Sequence, residues 1–199
     1  MKPSTALLAL PLALLGLVAC GGGSSSSSAS APAPSAATFT YTDPAGTGWR
    51  LVRDGSSTPT HLVLNLVGPA GTLGRGAAFT LKGDATRLTW GRIEGEYIQD
   101  AGLLELSFDP QDPNDPKLMV GGVKGDLLMA GAFQKDRGLS AKDLGAPLFR
   151  VAVDFKAGAG LHPGDAIPLT VVKARMLPDD LSTRQTPDIT IATGTLVAH

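Results

Sequence analysis

Glycine and proline break this chain so often that no long helix can form in its body. There are 25 glycines and 15 prolines among 199 residues, and each costs a helix interior about 1–3 kcal/mol relative to alanine. Between the breaks from Thr38 to His199 lie short apolar or alternating runs. They are Thr38–Thr42, Leu62–Val67, Ala77–Leu81, Arg87–Trp90, Leu103–Phe108, Leu118–Val123, Asp126–Phe133, Leu148–Phe155, Ile167–Met176 and Ile189–Val197. Several have period two: Phe149, Val151, Val153 and Phe155 alternate with Arg150, Ala152 and Asp154. That periodicity, between turn signals, predicts an all-β antiparallel sandwich or barrel. With 43% hydrophobic residues the body can bury a core, and about 160 residues bury about 70% of their unfolded surface. Only Ser140–Leu144 predicts a helical turn, with Ser140 as its N-cap.

Ahead of this body, Lys2 is followed by an apolar run from Ala6 to Val18. Thirteen helical residues would rise about 20 Å, short of the ~30 Å hydrocarbon core, so residues 1–19 read as a secretory signal. The run closes with Leu17-Val18-Ala19-Cys20, which resembles the lipobox of bacterial lipoproteins. That resemblance implies cleavage before Cys20, a diacylglyceryl group on its sulfur, and acylation (palmitate or similar) of the new amino group. Residue 21 is glycine, not aspartate; in a Gram-negative cell, the sorting rule for such lipoproteins implies the outer membrane. Gly21 to Ala37 contains only Gly, Ser, Ala and Pro; with acylated Cys20, residues 20–37 are expected to form a flexible tether of about 23 Å mean span. The folded domain is expected over 38–199.

The second half of the body resembles a cohesin domain, the jelly-roll-type β-sandwich related to some carbohydrate-binding modules. Five stretches carry the likeness in order. Leu103–Pro110 resembles a strand ending in an Asp-Pro turn, and Leu118–Leu128 the strand and glycine turn that follow. Gly145–Lys156 resembles the family's G-x-L-x-x-V-x-F strand, Gly164–Thr170 its G-x-x-x-x-L segment, and Ile189–Val197 its closing strand. Residues 38–102 match poorly. Cohesins of cellulosomes bind dockerins, but no enzyme or scaffold repeat accompanies the single module here. The resemblance implies a fold and leaves the partner, protein or glycan, open.

Seventeen basic residues against 18 acidic ones give a formal charge of −1, which leaves no excess to neutralise a phosphate backbone and excludes nucleic acid as a partner. One cysteine excludes a disulfide framework and a cysteine-rich metal site. Asp109, Asp112 and Asp115 gather three carboxylates and are the weak metal candidates, but they sit among prolines without EF-hand spacing. They read as a solvated turn, and no cofactor is expected. Glu94 and Glu96, two apart, would share one face of a strand and, with Asp100 or Glu105, could form a glycosidase-type acid pair in an envelope polysaccharide hydrolase. Solvent-facing strand positions near Arg92 are the plainer reading, so no catalytic residue is assigned. His61, His162 and His199 show no metal spacing, and Gly71–Gly76 reads as a hairpin loop rather than a phosphate cradle. Trp49, Trp90 and Tyr97 are the possible ligand-binding residues, with flat rings able to stack on a sugar; Trp49, beside Arg50 in polar surroundings, is the favoured one, and Trp90 shares the phase of Leu88.

Together these readings describe a noncatalytic binding or assembly module, held at the envelope through Cys20. Replacing the thiol tests the anchor: Cys20→Ala is expected to move the protein from the membrane pellet to the soluble fraction. Retention of that variant after carbonate washing would contradict the lipid anchor.

Overall fold

A computed structural model describes residues 34–106, 118–134, 139–180, 182 and 185–199. Cys20 and the cluster Asp109, Asp112 and Asp115 lie outside them. The described residues form thirteen strands and no helix: β1 (Phe39–Thr42), β2 (Arg50–Arg53), β3 (His61–Val67), β4 (Leu73–Gly83), β5 (Leu88–Gly91), β6 (Gln99–Asp100), β7 (Met119–Lys124), β8 (Leu127–Phe133), β9 (Lys142–Asp143), β10 (Pro147–Phe155), β11 (Ala166–Ile167), β12 (Leu169–Pro178) and β13 (Thr195–Ala198).

They make two main antiparallel sheets and a small third one. The first has the order β2-β3-β10-β5, with β6 beside β10; the second is β12-β4-β8-β7, with β9 beside β4; the third is β1-β13-β11. The inward phase of β10 is Phe149, Val151 and Val153, all fully buried. Across the core, β4 contributes Ala77, Phe79 and Leu81, and β8 Leu128, Ala130 and Ala132. Phe79 and Phe149 stack between the sheets, with centroids 5.6 Å apart and planes at 15°. The small sheet joins through Phe39 against Phe155, 5.8 Å apart, and the segment leading into β13 through the Leu51 N–H donating to the Ala192 carbonyl at 2.9 Å. The all-β sandwich read from the alternation is the fold observed.

Local chemistry sets the details. Gly76 has φ 147°, and a Cβ there would lie 2.2 Å from the Ala132 carbonyl oxygen; only glycine lets β4 run alongside β8 at that point. The expected turn at Ser140–Leu144 is corrected: Lys142 and Asp143 pair with Gly74 and Leu73 as β9. The Asp143 carboxylate accepts from the Gly71 and Gly145 backbone N–H groups, both at 2.9 Å, and Leu144 is fully buried, so tertiary contacts override a weak helical signal. The expected strand at Leu103–Phe108 is not formed over its described part, 103–106; Leu104 is buried there without joining a sheet. The run Ile167–Met176 is split at Pro168, whose missing N–H ends β11 before β12 starts. Ala36, assigned by composition to the tether, is buried, and its N–H donates to the Leu161 carbonyl at 2.7 Å.

Tyr41 locks the end of the sandwich. Its hydroxyl donates to the Leu51 carbonyl at 2.9 Å and accepts from the Gly194 N–H at 2.6 Å. Burial is the main cause that pushes its phenol up to about 12. Tyr41→Phe leaves both backbone groups without the hydroxyl and is expected to cost about 1–3 kcal/mol in urea denaturation. An unchanged unfolding midpoint would contradict the lock.

Candidate functional site

Because side chains alternate across a strand, the second sheet's packed inner face defines its outer face. Ala78, Thr80, Met129, Gly131 and Phe133 point away from the core, and the register places Ala78 opposite Gly131 and Gly131 opposite Val120. Small residues thus face each other on two adjacent strands, β4 and β8, with larger ones around them. A Cβ at Gly131 would lie 2.8 Å from the Ala78 Cβ, so the glycine keeps the floor low. The result is a trough of about 270 Å³ with Ala78 and Gly131 at its base. Val120, Met129 and Phe133 line it on the β7–β8 side, and Lys173 and Arg175 of β12 on the other. Val120 is 70% exposed, Met129 43%, and Val172 nearby on β12 53%. Arg175 is held by Asp188 at 2.8 Å. This is an apolar strip with cations along one edge.

The outer face of the first sheet has the opposite character. Asn65 stands directly opposite Arg150 and donates to the Asp54 carboxylate at 2.8 Å; Arg150 lies 3.5 Å from the same carboxylate and donates to Gln99 at 3.1 Å. His61 and Asp154, also cross-strand partners, meet at 2.5 Å. Asp54 is held down to about 2, first by hydrogen bonds from the Ser56 hydroxyl and backbone N–H, then by Asn65 and the Arg150 charge. These groups mostly satisfy one another, which marks the face as structural.

The expected site residues are scattered. The exposed placement expected for Trp49 is corrected: it is 7% exposed, in the core, and its ring tip would be 3.2 Å from a Cβ on Gly68. Trp90 and Tyr97 are only half-buried and share one pocket at another edge of the sandwich. The shared strand face expected for Glu94 and Glu96 is corrected too. Ile93 and Glu96 close a two-residue hairpin with reciprocal hydrogen bonds of 2.8 and 3.0 Å, and Glu94 (φ 52°) and Gly95 (φ 88°) form its tip, the positive-φ pair that a type I′ turn needs. Both glutamates are exposed. Asp100 instead accepts from the Gly102 N–H at 3.0 Å, and Glu105 pairs with Lys142. Glu96 lines a shallow pocket with Ile98, Met119, Val120 and Gly121 that neither Glu94 nor Asp100 reaches. Among the described residues, no group of three or more His, Cys, Asp or Glu could hold a metal ion.

The trough itself escaped sequence reasoning. Its signal was present in β8, Leu-Leu-Met-Ala-Gly-Ala-Phe, which is apolar in both phases where a solvated sheet face would alternate.

No protein-family model matches the sequence, and no curated protein matches it. Among solved structures, the chain is similar to the sixth cohesin from the scaffoldin B of Acetivibrio cellulolyticus, determined in complex with a mutant Cel5 dockerin. The TM-score is 0.50 at 12% identity, over 75% of this chain and 97% of that one. It is also similar to a type I cohesin–dockerin complex, Coh-OlpA–Doc918, from Clostridium thermocellum, with TM-score 0.48 and 11% identity over 80% and 97%. The first likeness shows a common fold, the cohesin-type jelly-roll sandwich.

The pH dependence of the first sheet's outer face follows from Asp54. Its folded pKa lies below the unfolded one, so its stabilisation is present above about pH 4 and disappears as pH falls toward 2. Asp54→Asn is expected to cost on the order of 1–2 kcal/mol at pH 7 and almost nothing at pH 2 in urea titrations. An equal cost at both pH values would contradict this.

Proposed function

We propose that this chain is a noncatalytic protein-binding module, tethered to the cell envelope by a lipid on Cys20. The observation that carries the reading is the trough on the outer face of β12-β4-β8-β7. Contiguous apolar surface left in water on a folded domain marks an interaction site. A partner presents an apolar side chain to the hollow above Ala78 and Gly131, covering Val120 and Met129. Lys173 at the rim, beside the Arg175–Asp188 pair, favours a partner carboxylate, an effect that acts mainly on association rate and specificity.

Two further observations support the reading. The similar cohesin from Acetivibrio cellulolyticus was determined with a dockerin bound, which makes a protein the favoured class of partner. Leu17-Val18-Ala19-Cys20 and the Gly/Ser/Ala/Pro stretch after it supply an anchor and a leash, in the outer membrane if the cell is Gram-negative. Confinement by the leash raises the local concentration of the module toward partners at the same surface.

The test is capture from envelope extract by the full-length protein, after crosslinking, with Val120→Asp and Met129→Asp as variants. Both positions are exposed, so the thermal midpoint is expected to stay within a few degrees of wild type. Each variant is expected to recover at least about tenfold less of the crosslinked partner, a loss of roughly 1.4 kcal/mol. Undiminished recovery in both variants would contradict the reading.

A further inference from the structure

A second pocket lies away from the trough, where β5 meets the hairpin joining β7 and β8. Gly83, Thr89, Trp90, Tyr97, Val123 and Gly125 line it, around about 250 Å³. Trp90 pairs with Val153 of β10 in register, so its phase is inward, yet it is only half-buried because it stands on the edge strand of its sheet. Gly83 of the opposite sheet seats the indole: a Cβ there would lie 3.0 Å from the ring tip. Tyr97 follows the Glu94–Gly95 hairpin, and the Arg92 guanidinium stands 4.2 Å from its ring centroid. That cation–π contact fixes the phenol ring before any ligand arrives. Two half-exposed aromatic rings from different segments are thus preset around one cavity.

Three features select the occupant. Flat aromatic walls suit a ring with an apolar face. Thr89 offers a neutral hydroxyl at the wall, and Gly125, with nothing near the position of a Cβ, leaves its backbone open to approach. No charged side chain lines the pocket, in contrast to the trough with its Lys173 and Arg175. We infer that this pocket is a second binding site, separate from the protein-docking trough, and that it takes a neutral pyranose unit of a glycan, with Trp90 and Tyr97 as the stacking residues. The volume suits one or two rings, and a site of this size holds its ligand weakly, with a Kd of roughly 0.1–10 mM.

The experiment titrates the full-length protein in detergent with chitohexaose and cellohexaose, neutral probes of pyranose rings, followed by calorimetry. Binding of at least one sugar is expected in wild type and in Val120→Asp, with at least about tenfold weakening in Tyr97→Ala and Trp90→Ala. Because Trp90 also touches the core, Val123→Arg provides a variant that fills the pocket from an exposed position and is expected to abolish binding while the thermal midpoint holds. Absence of heat from both sugars at ~10 mM, or binding undiminished in Tyr97→Ala and Val123→Arg, would overturn the inference. Loss of the crosslinked protein partner in Val123→Arg, without sugar binding in wild type, would also overturn it and make the pocket part of the protein interface.

Discussion

The stack of Phe79 on Phe149 sets the separation of the two main sheets, and the remaining inner-face residues are fitted to that spacing. Alanines at 77, 130 and 132 leave room where the rings do not, and leucines at 62, 64, 66, 81 and 128 fill what is left. Buried aliphatic and aromatic side chains of this kind contribute about 1.5–3 kcal/mol each. With the inner faces committed to the core, what differs between the two sheets is what each shows to solvent.

That difference is chemical. On the first sheet, Asp54, Asn65, Arg150 and Gln99 are knitted into hydrogen bonds and an ion pair, and His61 is joined to Asp154. Those groups are largely consumed by one another. On the second sheet, Ala78, Met129, Gly131 and Val120 form no such polar network, and Met129 and Val120 stay exposed to solvent. The same alternation that builds the core thus exposes the apolar face on which the proposed function rests.

Much of the fold was legible because short apolar or alternating runs between glycine and proline turns mark strands, even where both phases are largely apolar as in β3 and β8: β1, β3, β5, β7, β8 and β10 lie where the runs predicted them. The misses have physical causes. Arg50–Arg53 was passed over because two arginines flank only two apolar residues, yet Leu51 is fully buried through pairing with Leu66. Lys142 and Asp143 became a strand because Gly74 and Leu73 offered an edge. The site was less legible. Local context put Trp49 at the surface, whereas Gly68 and Leu144, distant in sequence, enclose it. Spacing alone put Glu94 and Glu96 on one face, whereas a glycine at position 95 allowed a tight hairpin between them. Trp90 and Tyr97 do line one pocket, but through tertiary placement that no local pattern encodes.

The central claim is that the outer face of β12-β4-β8-β7 is the partner surface. Hydrogen–deuterium exchange of the full-length protein, alone and with its crosslink-identified partner, addresses it most directly. The account predicts slowed exchange concentrated in 119–124, 127–133 and 169–178, with little change in 61–67 and 147–155. Protection centred on the latter two strands, or on neither sheet, would contradict it.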